Sequence, residues 1–330
     1  MNQLSLLPKI ELHLHLDCSL SYQVVAQLAP EISQEEYSQS FIAPEKCRNL
    51  ADFLVRAIKG IELMQTREQL RLVTLDLFQQ LERDNVIYAE IRYAPLQHLE
   101  KGLSPEEVVQ TINDAVLEGS ANTGIAVGVI LCTLRHYSEA QSLETVRLVH
   151  KFRGSPVVGF DIAADEAGFP IDNHIEAFEF AHANHIPCTA HAGEARGAES
   201  VWETLRLFQP GRIGHGVRSI EDPALIDYLK TNRIHLEICP TSNIQTNIYE
   251  ALNNHPVDRI YRAGVSVSIN TDARTITNVH LCHEYEALTE HFDWTVDDFL
   301  RCNLEAVENA FATDELKAML REKLLAAYLL

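Results

Sequence analysis

Short runs of β-branched and apolar residues recur along the chain, separated by longer segments with helical spacing. This alternation is typical of parallel strand and helix units, in which each buried strand is followed by a helix. Consecutive later runs are spaced by roughly 25 to 40 residues, which is what one strand, one helix and two loops need. The eight runs lie at approximately 10–16, 86–93, 125–132, 157–162, 187–190, 212–214, 234–238 and 265–269.

Eight such units predict an α/β fold, a closed (β/α)₈ or TIM barrel, formed as one domain by residues 1–330. An open doubly wound sheet is the structural alternative, but no glycine-rich phosphate loop follows the first run.

About 70 residues separate the first two runs, more than a barrel helix requires. We therefore expect a helical insertion within about 18–84, either packed on the barrel exterior or lying over its mouth as a lid, and further helices at the C-terminus, over 294–330.

The chain is strongly acidic, with 27 Lys and Arg against 47 Asp and Glu residues and a formal net charge of −20. Such a surface repels phosphate backbones and anionic lipid, so nucleic acid and membranes are poor partners, and a small neutral or cationic molecule is favoured. Residues 1–16 lack the features of a targeting segment, and the seven cysteines lie far apart. Both observations favour a cytoplasmic protein with reduced thiols; the oligomeric state stays open.

Polar residues with metal-binding and acid/base chemistry occur where the predicted strands end. In the first run, a period of two puts Glu11, His13, His15 and Asp17 on one face. Other runs lead into His191 and Glu194, into His215, and into Asp272. The carboxyl ends of barrel strands share one face, where the chemistry of such barrels gathers.

His13, His15, His191 and Asp272 together predict a nitrogen-rich metal site with one carboxylate, which suits zinc with a position left open for water. Glu194, beside a glycine and close to this site, is predicted to transfer a proton. His215 is either a ligand of a second metal or a base and electrostatic partner of a metal-bound water. The fourth run contains no lysine that could bridge two metals, which favours one Zn²⁺ per chain.

The remaining histidines carry no comparable signal. Six lie on two probable helices, and we expect them to be solvated: His174, His182, His185, His280, His283 and His291. The other five give no indication of chemistry: His98, His136, His150, His235 and His255.

The chain resembles the adenosine deaminase family of the amidohydrolase superfamily. The resemblance rests on segments in family order over nearly the whole chain: KIELHLHLD at 9–17, AEIRYAP at 89–95, VGFDIAADE at 158–166, HAGE at 191–194, RIGHG at 212–216, EICPTSN at 237–243 and SINTD at 268–272. It implies a zinc barrel that hydrolyses the exocyclic amine of a purine nucleoside, with the nucleoside and water as its small-molecule partners.

By motif position, the resemblance implies His13, His15, His191 and Asp272 as zinc ligands and Glu194 as the proton donor to purine N1. His215 and Asp272 would orient and deprotonate the water. Along the substrate we expect His15, Asp17 at the ribose 5′-hydroxyl, the backbone N–H of Ala164 at purine N3, and positions Ala273 and Arg274.

Three positions depart from the family pattern: Cys18 and Ala164 stand where glycines are usual, and Ala273 replaces the second aspartate of an Asp-Asp pair. That aspartate binds purine N7 in the family, and Arg274 is our candidate for a replacement donor. The departure leaves aminodeoxyfutalosine, adenine or another modified 6-aminopurine as alternative substrates to adenosine and 2′-deoxyadenosine. A two-metal amidohydrolase and a non-catalytic nucleoside-binding barrel are the more distant alternatives.

Overall fold

The computed structural model describes residues 3–328, and its centre is a set of eight parallel strands. Each predicted run overlaps one of these strands, with ends shifted by about two residues or fewer, the usual uncertainty of such boundaries. The strands are β1 Lys9–His15, β2 Val86–Tyr93, β3 Ala126–Leu134, β4 Val157–Ala163, β5 Thr189–Ala192, β6 Arg212–His215, β7 His235–Ile238 and β8 Val267–Ile269.

Helices follow the strands in sequence and surround them. They are α1 Gln3–Leu6, α2 Tyr22–Leu28, α3 Gln34–Ser40, α4 Leu50–Glu62, α5 Arg67–Arg83, α6 Pro105–Thr123, α7 Glu139–Lys151, α8 Ile175–Ala183, α9 Ala198–Phe208, α10 Pro223–Thr231, α11 Pro240–Gln245, α12 Val257–Arg262, α13 Arg274–Thr277, α14 Leu281–Phe292, α15 Val296–Asn309 and α16 Asp314–Tyr328. Within 3–328, no helix is long and apolar enough to cross a bilayer.

The strands close into a barrel. β1 to β4 pair in order, and so do β5 to β8, all in parallel. Two bridges join these halves, Phe160 with Cys188 and Leu14 with Asp272. At the second junction, His15 N–H donates to the Asp272 carbonyl at 2.7 Å, and Asp272 N–H donates to the His13 carbonyl at 3.1 Å. The predicted (β/α)₈ barrel is therefore confirmed, and its closure brings the end of β8 against β1.

The insertion after β1 consists of α2, α3 and α4, ahead of the barrel helix α5. Leu50 and Phe53 of α4 form an apolar cluster with Cys18, Ala273 and Ile276. Cys18 follows β1, and the other two residues follow β8, so α4 lies over the carboxyl ends of the strands. Helix α4 therefore covers part of the barrel mouth.

The C-terminal helices close the opposite end. Asn303 of α15 accepts a hydrogen bond from Ile10 N–H at 2.7 Å, and Tyr328 donates to the Pro8 carbonyl at 3.1 Å. Phe311, between α15 and α16, stacks 3.7 Å from the Arg212 guanidinium at the start of β6. These contacts leave the carboxyl ends of the strands as the face that can hold a site.

Candidate metal centre and active site

Five side chains from four strand ends converge in the barrel mouth: His13, His15, His191, His215 and Asp272, here called the donor cluster. His15 Nε2 lies 3.2 Å from His191 Nε2 and 3.4 Å from Asp272 Oδ1. His13 Nε2 lies 3.3 Å from the same oxygen. Donor atoms of His13, His191, His215 and Asp272 all lie within 4.8 Å of one another.

The donor cluster fits a metal ion. His13 Nε2 is buried and has no hydrogen-bond partner among the described residues. Nitrogen lone pairs and a carboxylate oxygen that face one another in a buried space repel unless a cation lies between them. Buried polar groups normally have partners, and a cation held between these atoms would supply the missing one.

Two carboxylates orient the histidines from behind. Glu237 Oε2 lies 2.9 Å from His13 Nδ1, and Asp161 Oδ1 lies 3.2 Å from His191 Nδ1. Each carboxylate can only accept here, so each ring carries its proton on Nδ1 and presents the Nε2 lone pair to the cluster. Such pairs of carboxylate and histidine are typical outer-shell support of metal sites.

Arg92 ties the two supporting carboxylates together. Its guanidinium lies 2.8 Å from Asp161 Oδ2 and 2.8 Å from Glu237 Oε2, with all three side chains fully buried. A buried carboxylate is costly unless it is paired, and the arginine provides that pairing. Residue types that are normally exposed therefore form a charge-paired network beneath the histidines.

The pKa shifts in the cluster favour metal binding. Burial lowers the pKa of His15 and of His191, so both imidazoles are neutral and have a free lone pair. Burial alone would raise the pKa of Asp272, but its close contact with His13, followed by the nearby His215 and His15 rings, outweighs burial and holds that pKa well below its usual value. His15, His191 and Asp272 are therefore in the protonation states that a metal ion requires. Burial and the charge of Arg92 would lower the pKa of His13, but its contacts with Asp272 and Glu237 outweigh them and raise it, so a metal ion at this ring would have to displace a proton.

Glu194 stands beside the cluster in a different state. Its side chain is 5% exposed, its Oε1 is buried without a partner among the described residues, and its Oε2 lies 3.6 Å from His215 Nε2. Burial, followed by the negative charge of Asp272, raises its pKa well above the usual value. A protonated carboxyl in a cleft is a candidate general acid.

The loop that carries Glu194 is held by a second glutamate. Glu166 accepts the backbone N–H groups of Gly193, Glu194 and Arg196 at 2.8 to 3.0 Å. Gly193 has a φ of +65°, and a Cβ there would lie 2.4 Å from Val201. The glycine therefore permits the close approach that lets Glu194 point into the mouth.

Three non-glycine residues of the site have left-handed backbone conformations: Ala164 with φ +82°, His215 with φ +60° and Asp272 with φ +64°. Such strain commonly occurs at functional sites, where the surrounding structure enforces it. Ala164 stands where the family has glycine, and its positive φ is the physical reason for that preference.

The residues predicted to contact the substrate have different surroundings in the structure. Asp17 and Ala164 lie at the barrel mouth, where burial raises the pKa of Asp17 to about 6. Ala273 is 2% exposed and packs in the apolar cluster under α4. Arg274 is different, because its Nη2 lies 2.6 Å from Glu11 and 3.0 Å from Asp84. The expectation that Arg274 contacts the substrate is not supported, since this ion pair occupies its guanidinium.

A cavity of about 520 Å³ reaches Glu194 from the surface. The first residues of α4 line one side, and Asp165, Arg218 and Thr246 line others. Its volume is in the range of pockets that bind small molecules.

Sequence reasoning missed the residues behind the cluster: Arg92, Asp161, Glu237, Ser242, Asn243 and His255. Asp161 and Glu237 lie on predicted strands. A charged residue within such an apolar run could have indicated a buried, paired carboxylate. The expectation that His174 is solvated was wrong: it is fully buried and bonds Ser142 and the Arg135 carbonyl. His255 is buried as well and takes part in the network described below.

Comparisons with known proteins agree with this geometry. The family model described as adenosine deaminase matches residues 8–327. Adenosine deaminase of Clostridium acetobutylicum is 35% identical over 325 residues, covering 96% of this chain and 97% of the relative. Among solved structures, a zinc-bound amidohydrolase from Burkholderia ambifaria has a TM-score of 0.90 at 22% identity, covering 99% and 92% of the two chains. The Arabidopsis protein ADAL complexed with IMP has a TM-score of 0.89 at 24% identity, covering 99% of both chains.

Proposed function

Because this chain belongs to the adenosine deaminase family, we propose that it hydrolyses a 6-aminopurine nucleoside, converting adenosine and 2′-deoxyadenosine to inosine and 2′-deoxyinosine with release of ammonia. It is a metal-dependent hydrolytic deaminase. The observation that carries the substrate chemistry is the buried Glu194 carboxyl, aimed into the mouth beside a group of side chains that could hold a metal ion.

In this proposal His13, His15, His191 and Asp272 hold one Zn²⁺ per chain. Imidazole nitrogens with one carboxylate suit zinc, and an open position is typical of its catalytic sites. When bound, zinc acts as a Lewis acid that lowers the pKa of a water molecule toward about 7.

Glu194 has the central role among the protein groups. Addition of water at purine C6 breaks the aromaticity of the ring, so N1 must take up a proton at the same time. The raised pKa of Glu194 keeps its carboxyl protonated and able to donate that proton. The water oxygen forms the new bond to C6, the bond from C6 to the exocyclic nitrogen breaks, and ammonia leaves. Of the two water protons, one replaces the proton that Glu194 gave to N1, and the other converts the leaving amino group to ammonia.

His215 and Asp272 position the attacking water. The His215 ring centroid lies 4.8 Å from that of His13, and its Nε2 faces Glu194, so His215 borders the space where C6 would react. Ser242 donates to Asp272 Oδ2 at 2.7 Å, which leaves Oδ1 directed at the cluster. Precise orientation of a reactant by such groups accounts for a large part of enzymatic rate enhancement.

The rest of the substrate would extend along the mouth toward α4. Asp17 would bind the ribose 5′-hydroxyl, the Ala164 backbone would meet purine N3, and Ala273 would lie beside the five-membered ring.

The seven cysteines are buried and unpaired within the structure, which supports a cytoplasmic location.

Parallel assays of ammonia release test this proposal. The zinc-loaded protein is compared on adenosine, 2′-deoxyadenosine, adenine, AMP, N6-methyladenosine and aminodeoxyfutalosine. We expect the highest kcat/KM for the two nucleosides, at about 10⁴ M⁻¹s⁻¹ or above. Preference for adenine or aminodeoxyfutalosine would keep the chemistry and overturn the substrate. Two metals per chain would support the two-metal alternative, and binding without turnover would indicate a non-catalytic barrel.

A further inference from the structure

His255 lies behind the active site, 2% exposed, in the segment that joins α11 and α12. Its Nδ1 accepts a hydrogen bond from Val257 N–H at 3.1 Å, and its Nε2 lies 3.2 Å from Asn243 Oδ1. A backbone N–H can only donate, so the His255 proton must be on Nε2. Burial lowers the pKa of His255 to about 3, so the ring is neutral.

The His255 proton determines the orientation of the Asn243 side chain. Asn243 is fully buried in α11. Its Oδ1 must face His255, because the amide NH₂ would there meet another donor. The Nδ2 group therefore faces His215 Nδ1, at 3.1 Å, and donates to it.

We propose that Asn243 and His255 are positioning residues that hold His215 in the tautomer with its proton on Nε2, so that His215 faces the reacting centre as a hydrogen-bond donor. The catalytic meaning of this assignment rests on the proposed function. The assignment itself rests on a chain of hydrogen bonds with one direction. Val257 N–H donates to His255, His255 donates to Asn243, and Asn243 donates to His215. A charged His215 is excluded by the same geometry, because Nδ1 would then carry a proton against the Asn243 amide.

This tautomer separates His215 from the metal ligands. A ring nitrogen that carries a proton has no lone pair for a metal ion. His13 and His191 show the opposite arrangement, since their Nδ1 protons point to carboxylates and their Nε2 atoms are free. His215 therefore lies among the donors without being a ligand, and it stabilises the attacking oxygen by donation and does not take its proton in this state.

The turn that carries Asn243 also positions a ligand. The preceding residue, Ser242, donates to Asp272 Oδ2 at 2.7 Å. One turn of α11 thus orients both the carboxylate and the imidazole of the site, and the His255 side chain fixes that turn from the rear.

Long-range ¹H–¹⁵N correlation of histidine-labelled protein, zinc-loaded and metal-free, tests the assignment directly. Two other rings serve as internal references. His174 Nε2 donates to the Arg135 carbonyl, which defines the Nε2–H pattern, and His13 defines the Nδ1–H pattern. We expect His215, assigned by its loss in His215→Gln, to show the Nε2–H pattern in both forms. The Nδ1–H pattern, or a protonated ring, would overturn the proposal.

Asn243→Asp provides the matched perturbation. A carboxylate at this position accepts from His255 and from His215, which moves the His215 proton to Nδ1. We expect His215 to exchange its pattern while His174 keeps its own, zinc content to be retained, and kcat to fall about 10²–10³-fold with little change in KM. An unchanged His215 pattern in the folded variant would overturn the proposal, as would an exchanged pattern with unchanged kcat.

If Asn243→Asp does not fold, His255→Gln and the wild-type spectrum keep the proposal testable. The side-chain amide introduced by His255→Gln can still donate to Asn243, so we expect this variant to preserve the His215 tautomer, whereas His255→Leu should not. Failure of the proposed function is distinguishable: a wild-type protein with the Nε2–H pattern and no deaminase activity supports the positioning role and overturns the substrate assignment.

Discussion

Substitution of Glu237 by glutamine tests the buried ion network beneath the metal centre. Its carboxylate lies 2.8 Å from Arg92 Nη2, 2.7 Å from Arg212 Nε and 2.9 Å from His13 Nδ1, with all four side chains 1% exposed or less. Opposing charges lower its pKa well below the usual value despite burial, which would raise it. Glu237→Gln preserves the side-chain volume and removes the negative charge that pairs with both Arg92 and Arg212.

Breaking a buried pair by removing one charge typically costs about 3–5 kcal/mol. Asp161 still pairs with Arg92, and Glu90 still pairs with Arg212. We therefore expect a loss near the lower limit, about 3 kcal/mol in the free energy of unfolding. The weakened support of His13 should also lower zinc affinity by about 10–100-fold.

Urea unfolding of the metal-free protein measures the first effect, and chelator competition measures the second. Glu118→Gln is the matched control, because Glu118 forms a bidentate pair with Arg71 at the surface, where both side chains are at least 38% exposed. Such a pair contributes about 0–1 kcal/mol. Equal losses in the two variants, or an unchanged zinc affinity in Glu237→Gln, would refute the network's proposed role.

Three further predictions concern the substrate side. Ala164→Gly should raise the free energy of unfolding by about 0.5–1 kcal/mol in urea unfolding, because glycine adopts a φ of +82° without strain; no gain would contradict the strain. The Asp17 pKa is raised from 3.8 to about 6, mainly by burial, so folding favours the protonated form and stability falls as pH rises through this window. Asp17→Asn should remove that fall of roughly 3 kcal/mol, seen as a stability difference at about pH 7 that vanishes at about pH 3; a pH-independent difference would refute it. Ala273→Asp should raise kcat/KM for adenosine about tenfold, because burial keeps the new carboxyl protonated and its O–H can donate to N7, but not for 7-deazaadenosine; equal changes for both would contradict this.

The strands, and the convergence of the candidate ligands at one face, could be predicted from the sequence because both depend on local patterns. A buried parallel strand is a short β-branched run, and the barrel topology places every strand end at one face. His191 and Asp272 could therefore be placed beside His13 although they are far apart in the chain. The regular spacing of the strand-like runs was therefore enough to bring these side chains together in the prediction.

The support of the site could not be predicted in the same way. Glu237 meets His13 across 224 residues, and the direction of each side chain decides the contact. Arg274 illustrates the difficulty. Its position beside Ala273 suggested a contact with the substrate, but its guanidinium is held by Glu11 and Asp84. Likewise, helical spacing placed His174 on a helix, whereas it immediately precedes α8 and is buried against Ser142.

The central claim is that a buried, protonated Glu194 drives deamination beside an intact metal centre. Its most direct test is the rate of ammonia release from adenosine by Glu194→Gln, with zinc content measured by elemental analysis on the same sample. We predict full zinc occupancy and a kcat lower by about 10²–10⁴-fold, because the amide cannot supply the proton to N1. Full zinc occupancy with a kcat close to that of the wild type would contradict the account.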